Sequence, residues 1–198
     1  MTDQPVYLTL ITADEIPAGR RLDWADQASL HRYVMTRFGD LGTSEEPGRA
    51  PRILFRSERV NGRRRLLIQS TVQPQGDTRT IDIKSTLNDL QARARCRLRV
   101  DMNPVRRVAR SGTDRPLKDD EIPDWVRTKL RPGFEVTDIV DLTIDLRRAA
   151  QKRIVVAEID VIANVGDPIE ARALVAGGVG RRKAHGCGLI SVLPMKSN

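Results

Sequence analysis

Two histidines, His31 and His185, are the side chains of this sequence best suited to move protons near neutral pH. His31 lies beside the apolar stripe of a segment with helical periodicity, and His185 lies in a stretch rich in glycine and cations. A lone histidine on a helix is usually structural. The residue type alone therefore leaves two interpretations of His31, acid–base chemistry and packing.

The acidic residues and the cysteines do not indicate a metal site. Asp119, Asp120 and Glu121 favour a helix N-terminus, which is a sufficient role for them. Cys96 and Cys187 lack the spacing of a zinc site or a disulfide framework, so we expect packed thiols. The sequence predicts no metal and no cofactor.

Residues 177–188, here called the glycine-rich loop, carry the strongest local signal. Five glycines in these twelve residues flank three consecutive cations. Glycine lets the backbone approach a phosphate closely, and adjacent cations repel one another unless an anion joins them. The glycine spacing fits neither a P-loop nor a dinucleotide site. We expect the loop to bind an RNA backbone, through Gly178, Gly180, Arg181, Arg182 and Lys183.

Two further groups of arginines could grip phosphates. A predicted strand over residues 94–101 points Arg95, Arg97 and Arg99 to one face. A second cluster follows Asn103 in a loop or short helix and contains Arg106, Arg107 and Arg110. Either group could equally be a solvated surface.

The charge of the chain favours an anionic partner. Its net charge is +8, with 13 Lys/Arg against 12 Asp/Glu in residues 1–90 and 21 against 14 in residues 91–198. A basic half of this kind favours a nucleic acid. Aromatic residues make up 4%, so contacts to structured RNA or DNA are favoured over base stacking.

The sequence has no run of 18 apolar residues and no signal-peptide pattern, and we expect a cytoplasmic protein without membrane contact.

The hydrophobic patterns predict two similar halves. In the first half they predict a strand over residues 5–12 and a helix over 24–38 that is capped by Asp23. Two strands over 52–59 and 64–72 follow around the turn Asn61-Gly62. A short strand and then a weak helix are predicted over 80–90. In the second half they predict strands over 94–101, 136–144, 153–161 and 187–193, and helices over 119–130 and 168–175.

Each half thus approximates the order β-α-β-β-α-β, which builds a four-stranded antiparallel sheet with two helices on one face. We predict an α+β protein with two tandem ferredoxin-like domains. The expected boundaries are 1–88 for an N-terminal domain that carries His31 and 92–198 for a C-terminal domain that carries the basic strand and the glycine-rich loop.

Three segments resemble the CasE family, the repeat-RNA endoribonucleases of type I-E CRISPR systems. Residues 178–192 resemble its C-terminal glycine-rich signature. Residues 97–104 are similar to its Arg-Leu-Arg-Ala-Asn-Pro stretch, with two extra residues or a shift before Asn-Pro. Leu30-His31-Arg32 matches the helix with its catalytic histidine.

The resemblance implies tandem ferredoxin-like domains of the repeat-associated, RNA-recognition-like type. It implies that the chain binds the hairpin of CRISPR repeat RNA and cuts at the base of the 3′ side without metal. The 2′-OH would attack the adjacent phosphorus, which leaves a 2′,3′-cyclic phosphate and a 5′-OH. His31 would be the general acid or the general base, and the chain would join other subunits of a Cascade-type complex.

One position departs from the family pattern. Several members have a tyrosine three residues before the histidine, where this chain has Ala28. Support for catalysis is then expected from other residues, namely Arg32, Tyr33, Arg37 or Lys183. A non-catalytic RNA-binding subunit on the same fold is the alternative, and a DNA- or ribosome-associated basic protein is another.

Overall fold

A computed structural model of the protein describes residues 5–17, 22–39, 52–76, 79–108 and 112–195. The strands are β1 (Tyr7–Thr12), β2 (Ile53–Val60), β3 (Arg63–Ser70), β4 (Arg79–Asp82), β5 (Arg95–Met102), β6 (Val105–Arg107), β7 (Asp114–Pro116), β8 (Phe134–Ala149), β9 (Lys152–Val165) and β10 (Ile190–Pro194). The helices are α1 (Gln27–Met35), α2 (Lys84–Asn88), α3 (Ile122–Leu130) and α4 (Pro168–Gly177). None of the described helices is long and apolar enough to cross a membrane.

Two antiparallel four-stranded sheets have the same spatial order. The first sheet is ordered β2-β3-β1-β4 and the second β10-β5-β9-β8. In the second half, α3 follows the first strand of its sheet and α4 precedes the last, as the β-α-β-β-α-β order requires. The prediction of tandem ferredoxin-like units is therefore confirmed.

The first half departs from the ideal β-α-β-β-α-β order, although its last two elements follow the residue pattern, a short strand and then a weak helix over residues 80–90. Its second helix, α2, follows β4 instead of preceding it. Residues 71–76, which lie between β3 and β4, form bends and no helix. Pro74 and Gly76 explain the difference, because proline lacks an N–H for a helical ladder and glycine costs backbone entropy there.

The helix that carries His31 begins later than predicted. Asp26, not Asp23, caps α1, and its carboxylate accepts a hydrogen bond from Ala28 N at 3.2 Å. Asp23 instead accepts from Ala25 N at 3.0 Å and forms an ion pair with Arg148. The predicted cap was wrong because residues 23–25 form a turn that moves the first helical residue to Gln27.

Several turns follow the sequence closely. Asn61 and Gly62 take φ angles of 50° and 77° between β2 and β3, as the hairpin prediction requires. The last strand begins at Ile190, not at residue 187, since Gly186 and Gly188 have φ angles of 78° and 90° that interrupt an extended chain.

The arginine cluster after Asn103 is neither a loop nor a short helix over its described part. Val105–Arg107 is a strand that pairs with Asp114–Pro116, so the prediction of local structure there was wrong. Strands of three residues are too short to produce a readable alternation of apolar and polar positions. Arg110 lies outside the described residues.

The hydrophobic core joins the two halves. Its largest cluster contains Val6, Ile83 and Leu90 from the first half together with the interior of the second sheet. A smaller cluster lies under α1 and includes Leu30 and Phe55. Because the halves share core residues, α1 and the glycine-rich loop are held in a fixed relation.

Candidate active site

His31 lies on the face of α1 that meets the first sheet at its edge. Its ring stacks on Phe55 of β2 with 6.2 Å between ring centroids and an interplanar angle of 24°. Leu30 and Val34, both fully buried, anchor the helix, while His31 itself remains partly exposed. Burial, together with the charges of His185 and Arg32, lowers the pKa of His31 below its usual value.

The glycine-rich loop contacts the same face of α1. A Cβ added at Gly186 would lie 2.6 Å from Gln27 Oε1 and 3.3 Å from Phe55 Cε2. Gln27 and His31 are one helical turn apart and so share a face. The structure therefore brings the first histidine and the loop together, although they are far apart in sequence.

Lys183 holds the loop closed. Its ammonium donates to the carbonyl oxygens of Gly177 and Gly178 at 2.7 and 3.0 Å, at the C-terminal end of α4. Burial and the nearby Arg52 lower the pKa of Lys183. This lysine caps a helix, where a cation is favourable, so much of its hydrogen-bonding capacity is used within the protein.

The other predicted cations of the loop differ in their surroundings. Arg181 is paired with Asp114. Arg182 is exposed, has a φ of 59°, and makes no ion pair with any residue in the described part of the chain. Gly178 packs inward, since a Cβ there would lie 2.7 Å from Leu54 Cδ1, whereas Gly180 has more room.

The basic strand β5 shows its three arginines on one exposed face, as predicted, but carboxylates compensate two of them. Arg97 forms a bidentate pair with Asp160 at 2.8 and 2.5 Å. Arg99 lies 4.0 Å from Glu158. Arg95 has no carboxylate partner among the residues that the structure describes. The sequence could not show this, because the carboxylates lie about 60 residues away along the chain.

The predicted RNA-binding residues after β5 differ in how well they could contact an external anion. Asn103 is buried and donates its side-chain amide to Val155 O at 2.7 Å, which gives it a structural role. Arg106 lies 3.6 Å from Glu121, and Arg107 is exposed. Of this predicted group, Arg107 is the described arginine best placed to meet an external anion.

The residues in and after α1 that were expected to support catalysis lie in different surroundings. Tyr33 is 6% exposed and belongs to the core cluster under the helix, which argues against contact with a substrate. Arg37 lies beyond the end of α1, with its guanidinium against Gly76. Arg32 is exposed next to His31. Arg32 is thus the member of this set that could supply charge at the site.

Sequence reasoning missed Arg56, which joins the halves. Its buried guanidinium donates to Arg99 O and Leu189 O at 3.0 Å each, and to Ser191 Oγ at 2.7 Å. Glu58 accepts from it at 2.6 Å. The spacing of Arg56 and Glu58 on one face of a strand is a signal that could have indicated a buried ion pair.

Sequence reasoning also missed a cleft of about 600 Å³ between the β2-β3 hairpin and the β8-β9 hairpin. Gln27 of α1 forms part of its wall, so the cleft adjoins the face that carries His31. Its basic lining residues include Arg59, Arg64, Arg148 and Arg153. The run Arg63-Arg64-Arg65 was the signal for this surface.

The described cysteines and acidic residues do not provide a reactive thiolate or a metal site here. Burial raises the pKa of Cys96 to about 11 and that of Cys187 to about 12, so both are neutral packed thiols. Among the described residues, no group of three His, Cys, Asp or Glu side chains could hold a metal ion. The residues gathered here are two imidazoles, exposed guanidiniums and loop amides.

Comparison with known proteins gives a consistent result. A family model described as "CRISPR associated protein" matches residues 6–194. No curated protein matches the chain.

Three solved structures are similar over 96% of this chain and 100% of their own. The CRISPR endoribonuclease Cse3 bound to 19-nucleotide RNA has a TM-score of 0.77 at 25% identity. Thermus thermophilus Cse3, bound to an RNA representing a pre-cleavage complex, has a TM-score of 0.77 at 26% identity. A chain of a CRISPR RNA-guided surveillance complex has a TM-score of 0.64 at 22% identity.

Proposed function

Since the chain belongs to the CRISPR-associated protein family matched over residues 6–194, we propose that it is an endoribonuclease that processes CRISPR repeat transcripts. It binds the hairpin of the repeat and cuts at the base of its 3′ side to release mature CRISPR RNA. The two Cse3 structures, at 25% and 26% identity, are described as an endoribonuclease bound to RNA and as a pre-cleavage complex, which supports this activity.

One observation carries the proposal for this chain itself. His31 is partly exposed on the face of α1 that the glycine-rich loop contacts, next to the exposed Arg32. An imidazole sealed in an apolar interior could not reach a phosphodiester, whereas one at the rim of a basic surface can.

The proposed reaction is a transesterification without metal. The 2′-OH attacks the adjacent phosphorus, the P–O5′ bond breaks, and the products carry a 2′,3′-cyclic phosphate and a 5′-OH. His31 moves one of the two protons that this reaction requires. Arg32 and the loop amides stabilise the negative charge that develops on the phosphorane.

The RNA is held by the cations that the protein leaves uncompensated. Arg182, Arg107 and Arg95 are exposed and make no ion pair within the described part of the chain. Arg59, Arg64 and Arg153 of the 600 Å³ cleft, which make no ion pair within the described residues, extend this surface toward α1. The contacts go to phosphates and to the shape of an A-form stem, because its deep major groove hides the base edges from side chains.

In the cell we propose a cytoplasmic protein that keeps its product and joins other subunits of a surveillance complex. Its likeness to a chain of such a complex supports this assembly. The first domain ends near residue 88 and the second begins near residue 92, so that each contains one of the two sheets.

The test uses the repeat RNA of the genome that encodes the chain, incubated with wild type and His31→Ala in the presence of EDTA. Wild type should give one cut with a 2′,3′-cyclic phosphate end, and the variant should bind the hairpin with unchanged affinity but leave it intact. A wild-type protein that binds the hairpin without cutting it would instead be a non-catalytic RNA-binding subunit. Equal binding of duplex DNA and unstructured RNA would overturn hairpin recognition.

A further inference from the structure

His185 lies in a short turn of the glycine-rich loop, and this turn packs against α1. A 3₁₀ turn over Lys183–His185 begins after Arg182 and ends at Gly186, and both flanking residues have a positive φ. His185 N donates to Arg182 O at 2.8 Å, which closes the turn. The ring is partly exposed, and its Nδ1 is buried without a hydrogen-bond partner among the described residues.

The position of this turn brings the second imidazole to the first. Gly186, the next residue along the chain, faces Gln27 and the Phe55 ring on which His31 stacks. The two histidines are close enough that the charge of His185 lowers the pKa of His31. The N-terminal and C-terminal halves therefore each contribute one imidazole to the same surface.

We propose that His185 is a second catalytic residue, paired with His31 as general acid and general base in RNA cleavage. The proposal rests on the function proposed above and adds a role for a side chain that packing within the protein does not explain. Because Nδ1 is buried, Nε2 is the nitrogen through which the partly exposed ring can exchange a proton once RNA covers the site.

The surroundings of the two rings differ, and the two roles follow this difference. Burial, and then the charges of His185 and Arg32, favour the neutral form of His31, so we assign it the role of base. His185 faces the carboxylate of Asp26 as well as the guanidinium of Arg182. Burial and then Arg182 lower the pKa of His185 overall, and the Asp26 carboxylate opposes this by favouring the protonated ring, so we assign His185 the role of acid.

The proton balance of the step closes with these two groups. The O2′–P bond forms as the P–O5′ bond breaks, the 2′-OH proton passes to His31, and a proton from His185 passes to the leaving O5′. After the products leave, water returns the pair to its starting form. No other co-reactant is needed.

Such a pair gives a bell-shaped dependence of kcat/KM on pH, since one ring must be neutral and the other protonated. Burial lowers the pKa of both rings in the free protein, so the maximum lies on the acid side of the usual histidine value of 6.5. Loss of the acid removes the decline at high pH, and loss of the base removes the decline at low pH.

The experiment compares wild type with His185→Phe, which keeps a ring of similar shape but cannot transfer a proton. Single-turnover cleavage of the repeat RNA is measured from pH 5 to 9, with hairpin affinity measured in parallel. We expect His185→Phe to bind normally, to cut about 100-fold more slowly or worse, and to lose the decline at high pH. Ser85→Ala, at an exposed position on α2 away from α1 and the glycine-rich loop, is the control and should match wild type.

A second substrate separates the two roles. When sulfur replaces the scissile 5′-oxygen, the leaving group no longer needs a proton, so His185→Phe should recover most of the wild-type rate. His31→Ala should not recover. A wild-type rate and pH profile in His185→Phe would overturn this inference while leaving the proposed function in place. The same holds if the sulfur substrate restores cleavage by His31→Ala but not by His185→Phe. Absence of cleavage by wild type would overturn the proposed function itself.

Discussion

A histidine can transfer protons only where its ring is held in place and one nitrogen still reaches the substrate. At His31 the stacked ring of Phe55 supplies the first condition, and partial exposure supplies the second. Leu30 and Val34 fix the backbone beneath it. The same helix face thus joins the apolar interior to a basic surface, and small changes there should alter chemistry more than folding.

Ala28 offers a test on this helix face, because it lies one turn before His31. Members of the resembling family often have a tyrosine there, so Ala28→Tyr should raise the single-turnover cleavage rate by adding a hydroxyl near the scissile phosphate. Ala28→Phe has nearly the same size without the hydroxyl and should give no gain. Equal rates for Ala28→Tyr and wild type would show that the position is not part of the site.

The two imidazoles should also make stability depend on pH. Burial lowers the pKa of His31 and of His185 in the folded protein, so the unfolded chain binds more protons below about pH 6.5. The free energy of unfolding should therefore fall as pH falls from 7.5 to 5.5, and this fall should be smaller in the double variant His31→Ala/His185→Phe. Urea titrations at the two pH values measure it. An unchanged fall in the double variant would assign it to other groups.

At the scale of elements, the path of the glycine-rich loop sets the distance between the two histidines. Gly188 has a φ of 90°, and a Cβ there would lie 2.5 Å from the backbone oxygen of Val179. Gly188 N also donates to Asp101 O at 2.7 Å, which ties the loop to the end of β5. A backbone oxygen cannot move aside in the way that the end of a flexible side chain can.

Gly188→Ala should therefore destabilise the protein by a few kcal/mol, on the order of the cost of a strained backbone plus a clash. Cleavage should fall with it, because the loop would move off α1. Gly62→Ala is the control, since its φ of 77° is equally unusual but no atom lies within 4 Å. It should cost about 1 kcal/mol and leave cleavage unchanged. Chemical denaturation and single-turnover assays measure both, and equal losses would contradict the clash.

The elements also show which features the sequence could predict. The Asn61-Gly62 turn, β5 and α4 have strong local signals, and the structure agrees with each. The cap of α1 and the strand after Asn103 were predicted wrongly, because several nearby residues could fill either role and tertiary contacts decide between them. The histidine and the loop were identified separately, whereas their contact depends on packing between distant segments, which no local pattern contains.

At the scale of the whole molecule, the two sheets are joined more tightly than tandem domains need to be. Arg56 satisfies backbone carbonyls of the second half from a strand of the first half, and its own charge is balanced by Glu58. Removing such a buried partner would leave charged and polar groups uncompensated. Shared core residues such as Val6 and Leu90 add to this coupling.

We therefore expect the two halves to unfold together. The tryptophans report on them separately, since Trp24 packs against the cluster under α1 and Trp125 packs against the larger core. In variants that keep one tryptophan each, with phenylalanine at the other position, fluorescence should give coincident urea transitions. Two separate midpoints would show that the boundary near residues 88–92 divides independent folding units.

The net charge of +8 predicts that RNA binding weakens as salt rises, and the surroundings of each arginine predict how much each contributes. Arg182 makes no ion pair within the described residues, so Arg182→Ala should reduce the slope of log affinity against log salt by about 0.7–0.9, the effect of one phosphate contact. Arg97 is already neutralised by Asp160, and Arg97→Ala should change the slope much less although both side chains are exposed. Hairpin affinity at several salt concentrations measures both slopes. A larger effect for Arg97 would mean that the RNA displaces Asp160 from the basic strand, so that β5 and not the glycine-rich loop provides the main electrostatic grip.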